Sequence, residues 1–467
     1  MLDYKLKIGL VAMRRNTTDR PRGTCWNWYS AEQRGKKSLD YIESNFTTET
    51  VTFVDTRGLG INDLIFDDAS AAETVERFKA EGVDAVMLIN CNFGNEEAAA
   101  DIARELGKPV LIWAPLDDEY YVDGMRPTDS QCGLFGLSRQ LQRCRVPFSH
   151  VPSCRVEDEE FKDAFLRFVR VACMVKNFKG LRIGQVGTRP IPFYSVICNE
   201  GELMEQFGVR IIPINFAIFQ QRMKSAPELY ADEIAEYEKY FTHNFKLDDL
   251  TPRYIKPMAT LVTVYKHLFE EYKLDVMSAE CWTATPLMFD GLAPCAAFAL
   301  LNEMGYLMSC ESDVHCAMTM ALLKSATLGK KLPLFGEFTV RHPENKNAEL
   351  LWHCGPFPAS SKAPGTEARL VNQRVWLRAR DGEYTAARID REEGGRYVIL
   401  PLKCHTTEGP ITHGSYIWGE FEDLQAVEAK LLDGPYIHHF VEMEGDYTRE
   451  IAEFCKYFPN LHLDSVK

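Results

Sequence analysis

No C-x-x-C pair occurs among the 14 cysteines of this 467-residue chain; the nearest two, Cys310 and Cys316, stand six positions apart. Zinc-ribbon and thioredoxin-type sites are thereby excluded, and in a chain this long the thiols read as reduced and mostly buried. No uncharged apolar run approaches the roughly 18 residues a membrane span needs. The run Ile8–Met13 is too short for a signal peptide's hydrophobic region and no small-residue cleavage site follows it, so the expected location is cytoplasmic. Basic residues are in deficit, 53 Lys+Arg against 67 Asp+Glu, and a formal charge of −14 repels nucleic-acid phosphates and anionic lipid alike. Neither a nucleic acid nor a membrane is expected as a partner. Glycine-rich phosphate loops are also missing. Gln185–Pro190 is not G-x-G-x-x-G, and no G-x-x-x-x-G-K-[ST] occurs, so hydride-transfer and ATP-driven chemistries lack their physical requirements.

What is present is the ordinary composition of a folded protein, with 46% hydrophobic and 26% charged residues, in a length that suits about three domains. In the first third, apolar runs at Lys7–Met13, Val51–Asp55, Ala85–Asn90 and Val110–Ala114 alternate with amphipathic segments at Ala71–Glu81 and Glu96–Leu106. This spacing predicts βαβ units on a parallel sheet. After a helix at Phe161–Lys176, a strand at Leu181–Gly187, a helix at Glu200–Phe207, a strand at Val209–Ile214 and another near Val276–Ser278 predict a second α/β unit. From about residue 343, short β-rich runs at Arg369–Leu377, Tyr384–Asp390 and Arg396–Leu402, broken by Asp-Gly and Gly-Gly turns, predict an antiparallel barrel or sandwich. The fold class is therefore α/β: two parallel-sheet α/β domains, 1–175 and 176–342, followed by a β-rich, barrel-like domain, 343–467.

Ionisable residues inside apolar patterns mark the candidate site. Glu311 ends the run Leu307–Cys310, at the carboxyl end of a strand where α/β folds place ligands, although it or Asp313 could simply cap the helix that follows. Glu337 interrupts the strand pattern Leu332–Val340; a buried carboxylate needs a partner or a metal, and alternation offers a solvent face shared with Thr339 as the other reading. His353 closes the strand Glu349–Trp352, where a satisfied core histidine is the simpler account. His438 and His439 are adjacent, so in a strand only one of them can face a given site. Together these make two carboxylates and two imidazoles, the donor set of an octahedral Mn²⁺-type site with room for substrate oxygens, with Mg²⁺ or Co²⁺ as alternatives.

The order of these residues, with Cys310–Asp313 and Ala317–Met320 followed by Phe335–Glu337, then Trp352-His353 and a distant His439, resembles the L-fucose isomerase and L-arabinose isomerase superfamily. The resemblance implies an aldose–ketose isomerase with Glu311, Glu337, His353 and His439 as metal ligands, His438 beside them, and a homotrimer or homohexamer in which residues 1–175 cover a neighbour's active site. Glu311 and Glu337 are then the general base and acid that move a proton between C1 and C2. Competing readings are an aldolase or epimerase using the same chemistry, and a non-catalytic sugar-binding or regulatory protein. The sugar is constrained by one further feature. Arg14, Arg15, Arg20 and Arg22, followed by Trp26, crowd the loop after the first strand of an acidic protein. Their guanidinium groups could form ion pairs across a subunit interface. If they reach the substrate, they suit an anionic hexose such as sulfoquinovose better than neutral L-fucose or L-arabinose.

Overall fold

The computed structural model describes residues 1–15, 28–120, 124 and 126–466. They fall into two compact units, Tyr4–Lys176 and Met1–Asp3 with Asn177–Lys467. In the first, strands β1 (Leu6–Met13), β2 (Val51–Asp55), β3 (Ala85–Asn90), β4 (Val110–Trp113) and β5 (Phe148–His150) alternate with helices. They pair in parallel in the order β2-β1-β3-β4-β5. β3 and β4 are buried along their whole length, as a parallel sheet covered on both faces requires. Local chemistry sets the helix limits. Asp67 accepts from Ser70 N at the start of the helix Asp68–Glu81, which Gly82 ends in a left-handed conformation.

The second unit holds two sheets. Strands β6 (Arg182–Val186), β7 (Arg210–Ile214), β8 (Lys246–Leu247), β9 (Val276–Ala279) and β10 (Met308–Ser309) come first, and all but β8 form a parallel sheet in the order β10-β9-β6-β7. The remaining strands are β11 (Leu334–Arg341), β12 (Ala348–His353), β13 (Arg369–Val371), β14 (Arg374–Arg378), β15 (Glu383–Arg391), β16 (Tyr397–Thr406), β17 (Ser415–Glu420), β18 (His439–Glu444) and β19 (Leu461–Leu463). A pairing of β16 with β17 closes β16-β15-β18-β11-β12-β17 into a six-stranded barrel. Both the parallel α/β architecture and the barrel expected from the sequence are thus present. Parallel pairings of β8 with β13, β14 with β17 and β16 with β19 make the large sheet mixed rather than wholly antiparallel.

Two local details differ from the sequence reading. The run Arg369–Leu377 is a hairpin and not one strand, turning at Asn372 and Gln373, both with positive φ. A two-residue turn of this kind normally advertises itself with glycine, and here none is present. β11, which carries Glu337, is a strand of the barrel and pairs with β12 and β18.

One helix links the two sheets of this unit. Val314–Ala326 is buried at every position, and it packs on β9 and β10 of the parallel sheet and on β15 and β18 of the barrel. A helix buried on every face, with mostly apolar residues, belongs in such an interior. Its amino-terminal turn follows directly from β10, which brings Glu311 to the junction of the two sheets. Among the described residues no helix is long and apolar enough to cross a membrane.

Candidate active site

At that junction the chain does something costly. Glu311 and Ser312 are consecutive non-glycine residues in the left-handed region, with φ of 62° and 58°. Backbone bonds hold the turn in place: Ser312 N donates to Ala279 O (3.1 Å) and Asp313 N to Cys310 O (3.1 Å). Asp313 then caps the helix, accepting from Cys316 N at 2.9 Å. The cap is therefore Asp313, and the Glu311 side chain is left to other work.

Three neighbouring strands supply the rest. β11 lies between β12 and β18, with Glu337 opposite His439 on one side and Trp352 on the other, so that His353 follows one residue on. His439 Nε2 stands 3.1 Å from Glu311 Oε2 and 3.8 Å from Glu337 Oε2. His438 Nε2 stands 3.6 Å from the same Glu337 oxygen. Both adjacent histidines thus reach one carboxylate, contrary to the strand expectation, because His438 sits in a bend just before β18 begins. The rings of His353 and His439 are 6.0 Å apart. Phe335 meets both edge-on, while Phe193 meets His439 edge-on and stacks on His438.

Burial sets the electrostatics. His353 and His439 are buried, Glu311 and Glu337 half-buried, and His438 exposed. Burial pushes the Glu337 carboxyl up to about 7, the His439 charge only partly opposing it and the Glu311 charge adding to it. Burial acts on Glu311 in the same direction, but the His439 hydrogen bond and the imidazole charges outweigh it and hold that carboxyl below its ordinary value. Burial depresses His353 and His438 to about 4 each. His439 goes the other way, up to about 9, because Asp313 and Glu311 overcome its burial.

Behind His439 lies a network that sequence reasoning missed. Asp313 Oδ2 is 3.0 Å from His439 Nδ1, an arrangement that fixes the ring and leaves Nε2 facing the carboxylates. Arg388, fully buried, donates to the same Asp313 oxygen (2.8 Å), to the backbone carbonyl of His439 (3.1 Å) and to Asp390 (2.6 Å). Asp390 in turn faces His315 Nδ1 at 3.3 Å. A signal existed: Arg388 and Asp390 are charges at alternate positions of the β-rich run Tyr384–Asp390, flanking Ile389 after Ala386 and Ala387, as Glu337 breaks the apolar pattern of β11.

Among the described residues, two groups place their ligand atoms within 4.8 Å of one another, Glu311 with His353 and His439, and Glu337 with His438 and His439. The Nε2 atom of His353 is buried without a hydrogen-bond partner, and in the tautomer that keeps the ring proton on Nδ1, toward Cys354, it has a lone pair to give. Oxygen and imidazole donors of this kind fit a divalent cation. Of the loop residues, Arg14 is buried at the end of β1 with its guanidinium 4.6 Å over the Phe66 ring. Arg15 lies 4.7 Å over Phe93. Both belong to the Tyr4–Lys176 unit, and Arg20, Arg22 and Trp26 lie outside the described residues.

Two α/β sheets and a barrel, with carboxylates and imidazoles gathered where a strand of one sheet meets the other, define the class to which known proteins can be compared. Residues 21–179 match the family described as fucose/sulfoquinovose isomerase, N-terminal domain. Over 434 residues, 91% of this chain and 93% of the relative, the sequence is 24% identical to a sulfoquinovose isomerase of Priestia aryabhattai. A sulfoquinovose isomerase of Alkalicoccus urumqiensis is 26% identical over 390 residues, 80% of this chain and 84% of its own. One from Clostridium sp. (strain MSTE9) is 24% identical over 384 residues, 78% and 83%. Over most of its length the chain is thus similar to sulfoquinovose isomerases, the kind of resemblance that the order of its acidic residues and histidines implied.

Proposed function

We propose that this protein is an aldose–ketose isomerase, an intramolecular oxidoreductase, acting on sulfoquinovose. The observation that carries the reading is the pair of carboxylates, Glu311 and Glu337, converging on the buried His439 from two different sheets. Interconverting an aldose and a ketose needs a base to take a proton from one of two adjacent carbons and an acid to return it to the other, through an enediolate. Glu311 and Glu337 are those groups. His439, held by Asp313, orients them, and Phe193 and Phe335 keep water from the imidazole faces.

Glu311, Glu337, His353 and His439 would hold Mn²⁺, with Mg²⁺ or Co²⁺ as alternatives. When bound, the cation supplies a Lewis acid beside the sugar carbonyl. Metal analysis checks the ligand set. His439→Ala is expected to lower Mn²⁺ content by roughly tenfold or more, the range for loss of a ligand or its support, whereas His438→Ala should retain most of it. Equal retention in the two variants would remove His439 from the set.

The names of the relatives favour a sulfonated substrate, and so does the chemistry of the Arg14, Arg15, Arg20 and Arg22 loop, whose forks match sulfonate oxygens while Trp26 and His438 offer faces to the sugar ring. In this reading the protein assembles as a trimer or hexamer and the loop serves a neighbouring subunit. The test compares kcat/KM for sulfoquinovose with that for its neutral 6-deoxy counterpart and for L-fucose. Sulfoquinovose should lead by about 100-fold, the worth of one or two charge-assisted hydrogen bonds, and Arg→Ala variants of the loop should erase the lead without lowering turnover of the neutral sugars. A preference for the neutral sugars that the substitutions leave unchanged would return the arginines to a structural role.

A further inference from the structure

Behind His353, on the side away from Glu311 in the bonding pattern, the structure brings two thiols into contact. Cys354 Sγ lies 3.3 Å from His353 Nδ1 and 3.4 Å from Cys295 Sγ, although 59 residues separate the two cysteines. Cys295 opens the helix Cys295–Glu303, where free backbone N–H groups favour a thiolate, and Cys354 follows the last residue of β12. Both are free thiols. A disulfide has an S–S length of about 2.05 Å, so the sulfurs need to approach by little more than 1 Å. Cys295 is buried and Cys354 half-buried beside it, so a small oxidant approaches the pair from the Cys354 side.

We propose that Cys295 and Cys354 are an oxidation site, a dithiol that hydrogen peroxide converts to a disulfide and that thereby releases His353 from its present position. The Cys295 thiolate attacks one peroxide oxygen, the O–O bond breaks, and after proton uptake the products are a sulfenic acid and water. The Cys354 sulfur then attacks the Cys295 sulfur, the S–O bond breaks, and the hydroxyl leaves as a second water with the Cys354 proton. Two thiols give up two electrons to one peroxide, and a dithiol reductant reverses the change. The geometry couples this to the site. In the reduced state the Cys354 sulfur and His353 Nδ1 share a hydrogen bond, which sets the ring and the role of its other nitrogen. Bonding Cys354 to Cys295 draws that sulfur away from His353 Nδ1, so the ring loses its support.

Formation of the bond depends only on the two thiols; its effect on activity rests on the reading of His353 as a metal ligand. The experiment therefore reads both separately. The full-length protein, reduced and then exposed to hydrogen peroxide, is digested without reductant and mapped by mass spectrometry, while parallel samples are assayed for Mn²⁺ content and for turnover of sulfoquinovose. The expected result is a single major cross-linked peptide pair joining Cys295 to Cys354, 2 Da lighter than the sum of its halves, with Mn²⁺ content and turnover lowered at least tenfold and restored by dithiothreitol. Cys295→Ser should start at wild-type activity and resist the treatment. Cys354→Ser, which keeps a hydrogen-bonding atom beside His353, should resist it as well. Absence of the Cys295–Cys354 pair, or inactivation of Cys295→Ser to the same degree as wild type, overturns the oxidation site. A cross-link that forms in full while Mn²⁺ content stays unchanged overturns the coupling to His353, whatever the substrate proves to be.

Discussion

Glutamine in place of Glu337 is expected to lower kcat for sulfoquinovose by about 1,000-fold, within the span attributed to general acid–base groups, in a protein that remains folded. The side chain keeps its size and its amide can still meet His438 and His439, but it has no proton to exchange at the substrate carbons. Glu311→Gln should behave alike, since the two carboxylates approach His439 from different elements and the proposed reaction needs one as base and the other as acid. Assays at saturating Mn²⁺ separate the chemical loss from weaker metal binding, and near-wild-type turnover in either variant removes that residue from the reaction.

Arg388→Met should cost about 3–5 kcal/mol of stability, the range seen when one member of a buried ionic network is removed. Its guanidinium is completely buried between Asp313 and Asp390, and methionine leaves both carboxylates in an apolar interior. The loss depends on pH in a definite sense. Burial works to raise both carboxyls, yet the Arg388 charge and the neighbouring imidazoles hold them below the ordinary 3.8 in the folded protein. A carboxyl depressed by folding contributes stability above its unfolded pKa and loses it as pH falls through the folded value. Without Arg388 that contribution disappears, so the deficit should be complete from pH 8 down to about pH 5 and shrink only as the medium is acidified below about pH 4. Urea titrations of both proteins at pH 3 and pH 8 measure it; a deficit under about 1 kcal/mol at pH 8 would mean that the aspartates find other partners.

The parallel sheets were legible because their signals are local. β3 and the helix Glu96–Leu106 fall where apolar runs and caps put them, as do β2 and the helix Glu200–Phe207. Glu311 and Glu337 could be singled out because each breaks an apolar pattern within a few residues. Arg388 and its partners could not be joined in the same way: 75 residues separate it from Asp313 and 72 from Cys316, and only the closing of the barrel against the buried helix brings them together. The adjacent histidines misled for a related reason. Alternation governs residues inside a strand, and the strand begins one residue later than the pattern suggests.

The left-handed turn at Glu311 and Ser312 bears on how this protein can be altered in the laboratory. A non-glycine residue there costs on the order of 1 kcal/mol that glycine would not. Glycine at 311 therefore relieves the strained turn while deleting a carboxylate from the site. Library screens that reward heat tolerance or soluble yield alone will enrich Glu311→Gly and hand back a sturdier, inert protein. The ranking of variants at this position by stability should run opposite to their ranking by turnover, and a screen that scores both will keep the glutamate.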